Sequence, residues 1–407
     1  MSHNVNPVKQ TFHNIRRNIA RTWLSIQPAL QIAITGSQGK TNTANIISTI
    51  TSQKGSTIST HINLDTVYNV PITTLKVMPW TKYAVFELGI DKIGEMDFHL
   101  KIVRPKIAVI TGISPVHTDE EHLKNLENLI REKQKLINTL PCDGYAILNY
   151  DDKNIREMAN NTKAKILWYG NNKEKCDVWS SDINVSINGT QAVLNTKTES
   201  FPISTPLLGK HFISNIMAGY LVSKIIGLEK NTFVSAIKSI VPIKGRMSIE
   251  KGPLNTLIIN DSLRANPSST KYGLKTLSEI DYKKGKKIAV LAEMGELQHP
   301  EEEHRKIGQL IPELNIDFLV LIGPLQKYTA QSALEKGMDK KKVFAVKDVF
   351  EAYEILKSII CDNDLIYLKG SLLRHIERVL LLLKGKDIKC RKVFCDNYHQ
   401  CVKCKNL

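Results

Sequence analysis

Features that mark several classes of protein are missing from this sequence of 407 residues. No uncharged run approaches the roughly 18 residues that a membrane-spanning helix requires, and the start Met-Ser-His-Asn has no apolar signal core. The seven cysteines do not follow the spacing of an extracellular disulfide framework, and we find no internal repeat. We therefore expect a cytoplasmic protein with reduced thiols and no stable membrane insertion.

Acidic residues are scarcer than basic ones, with 40 Asp and Glu against 56 Lys and Arg, for a net charge of +16. Such a balance attracts nucleotides, phosphorylated substrates, anionic lipids or nucleic acid. The sequence contains no motif of interleaved aromatic and basic residues for stacking on bases, so we expect no nucleic-acid partner. A nucleic-acid-stimulated ATPase with a phosphate-binding loop is the alternative outside the class favoured below.

The hydrophobic pattern predicts an α/β protein of two or three domains, because strand-like apolar runs alternate with helical stretches. An amphipathic helix is predicted within residues 1–30. Packing on the next domain is favoured over a role at a membrane surface, and the apolar face contains Phe12, Ile15, Ile19, Trp23 and Ile26. Residues 163–206 predict a β-rich flank, and a hinge is predicted at Lys244-Gly245. The predicted domains are residues 31–244, residues 245–385, and a cysteine-rich tail at 386–407.

A glycine-rich loop follows the first predicted strand of residues 31–244 and opens a helix, the setting in which backbone N–H groups surround phosphates. Its glycines permit close approach, its lysine neutralises phosphate charge, and the hydroxyl of its last threonine can hold Mg²⁺. The loop therefore predicts a nucleotide site. Its residues are Thr35, Gly36, Ser37, Gln38, Gly39, Lys40 and Thr41.

Two further side chains are candidates for the same site. Glu87 ends a buried strand, where a carboxylate is costly unless it meets a cation, so Mg²⁺ is its expected partner and a salt-bridged glutamate is the alternative. His117 follows Ser-Pro at a strand end. On its own, such a histidine is more often a hydrogen-bonded loop residue than a metal ligand.

From about residue 31 to 382 the sequence resembles the Mur ligases, a family of ATP-dependent carboxylate–amine ligases whose phosphate loop has this short form. The resemblance implies a P-loop central domain with a parallel sheet and a β-rich flank, followed by a Rossmann-like C-terminal α/β domain. It also implies ATP and Mg²⁺, an acyl phosphate intermediate, and small-molecule or peptide substrates. Besides the loop, the matching strings are Asn63 to Thr66, Phe86 to Gly89, Ile113 to His117, Leu208 to His211, Gly245 to Met247 and Ile259 to Pro267.

The same resemblance implies roles for individual residues. His117 would be a ligand of a second Mg²⁺, and Lys133 would be a carbamate that binds metal, although Lys133 also fits an ordinary surface lysine of a helix. Asn215 would contact adenine, Asp261 would hold the ribose, and Arg246 would reach the γ-phosphate on domain closure. The implied catalytic set is Lys40, Glu87, His117, Lys133 and Arg246, and the implied metal set is Thr41, Glu87, His117 and Lys133.

Two strings point to one branch of the family. Val290 to Leu297 followed by His304, and Tyr367 to Ser371 followed by Glu377-Arg378, resemble the members that add D-alanyl-D-alanine to a peptidoglycan precursor. Only about 30 residues precede the phosphate-loop strand, so a partner subunit that replaces an N-terminal nucleotide-sugar domain is an expectation. The alternative within the family is a ligase that amidates a different acid, such as another amino acid or a cofactor precursor.

The C-terminal cysteines have two interpretations. Cys390, Cys395, Cys401 and Cys404 lie close in sequence with His399, and Cys401 and Cys404 have the spacing of a metal knuckle. The gaps between the other cysteines are irregular. Free thiols on a tail are favoured over Zn²⁺ binding by this pattern.

Overall fold

The computed structural model describes residues 7–60, 66–114, 122–295, 297–395 and 401–404. The chain forms two compact units. The first contains residues 1–183, 191–204 and 212–240, and the second contains 184–190, 205–211 and 241–407. No helix in the described ranges is long and apolar enough to cross a membrane.

A nine-stranded sheet, most of whose residues belong to the first unit, has the order β2-β3-β1-β4-β5-β6-β7-β8-β9. In this order, each strand from β2 through β7 pairs in parallel with its neighbour. The strands are β1 (Leu30–Thr35), β2 (Thr57–Ser59), β3 (Tyr83–Glu87), β4 (Ile107–Ile110), β5 (Tyr145–Asn149), β6 (Lys165–Gly170), β7 (Val178–Ser186), β8 (Gly189–Thr196) and β9 (Ser200–Thr205). The helices are α1 (Pro7–Ser25), α2 (Lys40–Ser52), α3 (Thr66–Thr74), α4 (Glu95–Leu100), α5 (Leu126–Asn138), α6 (Lys153–Met158), α7 (His211–Ile225) and α8 (Lys230–Lys238).

The strand order determines where a ligand can enter the first unit. The chain runs from β1 to β2 and β3 on one side and returns to β4 on the other side of β1. Connections that leave a parallel sheet in opposite directions open a crevice at the carboxyl ends of the strands. The loop after β1 lies at this crevice, between the ends of β3 and β4.

The second unit has a six-stranded sheet in the order β10-β11-β15-β12-β13-β14, parallel except for the edge strand β10. All six side chains of β12 are buried, as expected for a central strand covered by helices. The strands are β10 (Ser248–Lys251), β11 (Leu257–Asp261), β12 (Lys287–Ala292), β13 (Phe318–Ile322), β14 (Val343–Val346) and β15 (Leu365–Lys369). The helices are α9 (Pro267–Glu279), α10 (Pro300–Leu310), α11 (Gln326–Glu335), α12 (Val349–Ile359) and α13 (Glu377–Leu383).

The predicted α/β class with two parallel sheets is confirmed. The predicted packing face of the N-terminal helix is confirmed at Trp23, whose Nε1 donates to the Val77 carbonyl at 2.7 Å, and is wrong at the other predicted positions. Ala20 and Leu24 are buried, whereas Phe12, Ile15 and Ile19 are more than half exposed. Helix α1 packs against α3, and the packing face, marked by Ala20 and Leu24, is rotated away from the larger apolar residues.

Helix α7 is buried on almost every side, which agrees with its apolar sequence. Gly219 allows α7 to approach α2 closely, because a Cβ atom on Gly219 would lie only 2.7 Å from a methyl carbon of Ile50 and 2.9 Å from one of Ile46. Both isoleucines are fully buried. The contact between α7 and α2 supports the helix that begins at the phosphate loop.

Candidate active site

The phosphate loop, residues 36–39, lies directly against the end of β4. Gly36 has a φ of 149°, and a Cβ atom there would come within 2.1 Å of the Thr111 hydroxyl. That hydroxyl donates hydrogen bonds to the carbonyl oxygens of Gln38, at 2.5 Å, and Thr35, at 3.3 Å. The Ser37 amide donates to the Gly112 carbonyl at 2.7 Å. The loop is therefore held in a fixed shape that only glycine at position 36 permits.

The N-terminus of α2 follows this loop and suits an anion. Gly39, with a φ of 80°, is the cap residue and provides no side-chain hydrogen bond, and the first turn of α2 contains no acidic residue. The N–H groups of a first helical turn lack partners within the helix, and the helix dipole favours negative charge there. Phosphate groups fit this position.

Two lysines meet at one carbonyl of the loop. Nζ of Lys40 donates to the Gly36 oxygen at 2.8 Å, and Nζ of Lys133, from α5, donates to the same oxygen at 2.9 Å. Lys133 is only 2% exposed, so its interpretation as an ordinary surface lysine is wrong. Burial, together with the charge of Lys40, holds the pKa of Lys133 well below its usual value.

Oxygen ligands suited to Mg²⁺ lie at the start of α2 and at the end of β3. The Thr41 hydroxyl donates to Oε1 of Glu87 at 3.1 Å, and the Glu87 amide donates to the Thr60 hydroxyl at 3.0 Å. A hydroxyl next to a carboxylate is a donor set that Mg²⁺ accepts, commonly with waters and phosphate oxygens. The residues present therefore fit this ion.

The first unit thus brings most of the predicted site together. Asn215 on α7 is 7% exposed and reaches the loop, since its Oδ1 lies 3.1 Å from the position of a Cβ atom on Gly39. His117 lies outside the described residues. Thr111, which fixes the loop, was not predicted, and the only signal for it in the sequence is a Thr-Gly pair at the end of a buried strand.

Arg246 and Asp261 belong to the second unit. Oδ2 of Asp261 accepts hydrogen bonds from Nζ of Lys369 at 2.6 Å and from the Tyr367 hydroxyl at 3.0 Å. Burial lowers the pKa of Lys369, while Asp261 raises it and the charge of Arg246 lowers it further. Asp261 is thus fixed by two side chains of β15, which the sequence did not reveal, and the roles predicted for Arg246 and Asp261 stay predictions.

The two strings typical of one branch of the family are in contact in the second unit, where the Ser371 amide donates to the Glu293 carbonyl at 3.2 Å. Glu293, after β12, accepts from Nε of Arg374 at 2.6 Å and from the Leu325 amide at 2.8 Å. His304 on α10 accepts from the Met294 amide through Nε2 at 3.2 Å. These contacts hold the loop that follows β12 in one conformation.

Comparison with known proteins defines the class of this protein. The Mur ligase middle domain family matches residues 34–223, and the family described as "Mur ligase, glutamate ligase domain" matches residues 245–372. The chain belongs to the Mur ligases, which are ATP-dependent enzymes that form carbon–nitrogen bonds.

Individual relatives show which members of the family this chain is similar to. The chain is 28% identical over 367 residues to UDP-N-acetylmuramoyl-tripeptide--D-alanyl-D-alanine ligase of Escherichia coli, covering 89% of this chain and 78% of that enzyme. It is 31% identical to the enzyme of the same name from Buchnera aphidicola, covering 75% of this chain and 66% of that enzyme. The solved structure of MurF from Acinetobacter baumannii superposes with a TM-score of 0.81 at 27% identity, over 92% of this chain and 81% of the other.

The close approach at Gly36 gives a first prediction. Gly36→Ala places a methyl group against the Thr111 hydroxyl, so we expect affinity for Mg-ADP to fall more than about tenfold, equivalent to about 1.4 kcal/mol. Titration calorimetry measures this. Gly337→Ala is the matched control, because Gly337 also has positive φ but has no atom within 4 Å of the added carbon. An unchanged ADP affinity in Gly36→Ala would contradict the proposed role of the loop.

Proposed function

We propose that this Mur ligase joins D-alanyl-D-alanine to a muramoyl-tripeptide-type precursor in cell-wall synthesis. The proposal is supported by the activities for which the relatives are named and by the hydrogen bond from the Ser371 amide to the Glu293 carbonyl, which joins the two strings typical of that branch. The main support for the ligase chemistry is that Lys40 and Lys133 both donate hydrogen bonds to the Gly36 carbonyl of the phosphate loop. The Lys40 cation at a loop shaped for phosphate is suited to transfer of the γ-phosphoryl group, and the buried Lys133 beside it is suited to carbamate formation.

The reaction begins with a carboxylate, which is too poor an electrophile to react with an amine. A carboxylate oxygen bonds to the γ-phosphorus of ATP, the bond from that phosphorus to the bridging oxygen breaks, and ADP leaves. The amine nitrogen then bonds to the acyl carbon, the bond from carbon to the phosphate oxygen breaks, and the nitrogen loses a proton. The products are an amide, ADP and phosphate.

The residues of the site divide this work. Lys40 and the first turn of α2 would hold the β- and γ-phosphates, and the fixed loop would orient them without reorganisation during the reaction. Thr41 and Glu87 would hold Mg²⁺, with His117 and a carbamate on Lys133 as further ligands. The ion, when bound, neutralises phosphate charge. Asn215 would contact the adenine beside the loop.

The precursor also has a UDP portion that must be recognised. We propose that a partner subunit contributes to this recognition. Co-purification of this chain with a second protein that increases its affinity for the UDP-linked substrate would support the proposal. Tight binding of that substrate by the isolated chain would count against it.

The test is release of ADP and phosphate from Mg-ATP with UDP-muramoyl-tripeptide alone, with D-alanyl-D-alanine alone, and with both. We expect release to require both substrates and to produce an amide of matching mass. Lys40→Met should release ADP about 100- to 1000-fold more slowly when both substrates are present. If protein that binds ATP releases nothing with both substrates, the acid or amine is different, and a panel of other acids follows. Release stimulated by DNA or RNA instead would favour the nucleic-acid ATPase.

A further inference from the structure

A buried cluster of metal-binding residue types lies near the C-terminus of the second unit. His375, Glu377 and Cys401 each place one potential ligand atom within 4.8 Å of the other two. The three residues are only 2%, 6% and 6% exposed. His375 and Glu377 flank the start of α13, and Cys401 begins a short 3₁₀ helix, Cys401–Lys403. The start of α13 and the short helix that begins at Cys401 are therefore close in space, although 24 positions separate Glu377 from Cys401 in sequence.

The hydrogen bonds of the cluster orient the histidine. Oε1 of Glu377 lies 3.0 Å from Nδ1 of His375 and accepts a 3.0 Å hydrogen bond from the Cys401 amide. Nε2 of His375 and Oε2 of Glu377 are buried, and neither has a hydrogen-bond partner within the described ranges. Metal-binding histidines commonly bond through one ring nitrogen to a carboxylate and present the other nitrogen to the metal. The pair Glu377–His375 has this arrangement.

Two more cysteines belong to the same part of the second unit. Cys390 and Cys404 are among the groups that interact electrostatically with the Cys401 thiol, as are Glu377 and Arg378. Cys404 follows Cys401 at the spacing of a metal knuckle, and its amide donates to the Cys401 carbonyl at 2.8 Å. The surroundings of the thiol are thus rich in groups that donate electron pairs to a cation.

Arg378 fixes the remaining cysteine. Its Nη1 donates to the Cys390 carbonyl at 2.7 Å and lies 3.6 Å from the Cys390 sulfur. Its Nη2 donates to the Lys392 carbonyl at 2.5 Å. Three thiolates and a neutral imidazole around a divalent ion carry one net negative charge, which the buried guanidinium of Arg378 would balance.

We propose that His375, Cys390, Cys401 and Cys404 bind one Zn²⁺, with Glu377 as the residue that positions His375. Three sulfurs and one imidazole nitrogen are a typical ligand set of structural zinc sites, and they exclude Mg²⁺, which prefers oxygen. Zinc would attach the C-terminal segment to the start of α13. This replaces the interpretation of free thiols on a tail, and it uses His375 in place of His399, which lies outside the described residues.

The test uses the full chain, purified under reducing conditions without chelator. Elemental analysis should find about one zinc ion per chain. After zinc is removed and replaced by Co²⁺, the spectrum should show charge-transfer absorption from thiolates and the strong visible bands of a tetrahedral ion. Protein that has no zinc, and that binds neither added Zn²⁺ nor Co²⁺ while its thiols are reduced, would overturn the proposal. This measurement requires no variant.

Variants then assign the ligands. Cys401→Ser and Cys404→Ser should lose stoichiometric zinc, and Glu377→Gln should weaken zinc binding by roughly 10- to 100-fold in competition with a chelating dye. Cys142→Ser is the matched control, because Cys142 is exposed and lies in the first unit. Full zinc content and unchanged affinity in Cys401→Ser would overturn the assignment.

Discussion

Replacement of Lys40 by methionine is expected to lower the rate of ATP-dependent amide formation by about 100- to 1000-fold. The Lys40 ammonium donates to the Gly36 carbonyl at 2.8 Å, so it is held at the loop that we propose binds phosphate. Methionine keeps most of the length and packing of the side chain but removes the charge. The measurement is ADP release with both substrates present.

The control for Lys40 is Lys54→Met. Lys54 is an exposed lysine just beyond the far end of α2, and its Nζ donates to the Gly227 carbonyl. Loss of this surface contact should change activity less than about twofold, since exposed polar contacts contribute little. If both variants had the same activity as the unmodified enzyme, the phosphate loop would not be the site of ATP turnover.

Replacement of Lys133 by alanine is the second variant with a large expected effect, a loss of about 100-fold or more in activity. A neutral lysine nitrogen adds to the carbon of CO₂ and loses a proton, which converts the side chain into an anionic carbamate. Because burial holds the pKa of Lys133 well below its usual value, the neutral amine persists to lower pH than in an exposed lysine. Bicarbonate should therefore raise the activity of protein kept free of CO₂.

Two results would identify the carbamate. Short carboxylates such as acetate should partly restore activity to Lys133→Ala, because they can occupy the space of the lost anion. Lys135→Ala is the matched control on the same helix, where Lys135 forms ion pairs with Asp97 and Glu132 at 2.6 and 2.5 Å. If short carboxylates do not restore the activity of Lys133→Ala any more than that of Lys135→Ala, and bicarbonate has no effect on the unmodified enzyme, Lys133 acts as an amine.

The parts of the site that the sequence predicted are those coded by adjacent residues. The loop from Gly36 to Thr41 and the strand that ends at Glu87 can be read from local pattern, since a turn and a buried strand each have a short signature. Lys133 and Asn215 required the family resemblance. Nothing in the pattern of α5 or α7 indicates which face meets the phosphate loop.

The parts that the sequence could not predict depend on contacts between distant segments. Thr111 touches the loop because β4 pairs with β1, and His375 lies close to Cys401 because residues 401–404 pack near the start of α13. The exposed face of α1 was predicted wrongly because hydrophobic periodicity gives equal weight to large and small residues, whereas close packing favoured Ala20. Tertiary packing therefore determines which distant residues are in contact and which face of a helix is buried.

The position of α7 along the chain also limits when the first unit can be completed during synthesis. Strands β1 to β9 and the helix α2 leave the ribosome before α7, although Gly219 of α7 lies against Ile46 and Ile50. In a nascent chain that stops before residue 211, the side of these isoleucines that faces α7 is therefore uncovered. The unit that carries the phosphate loop is finished late, and in that interval its apolar surface is available to chaperones.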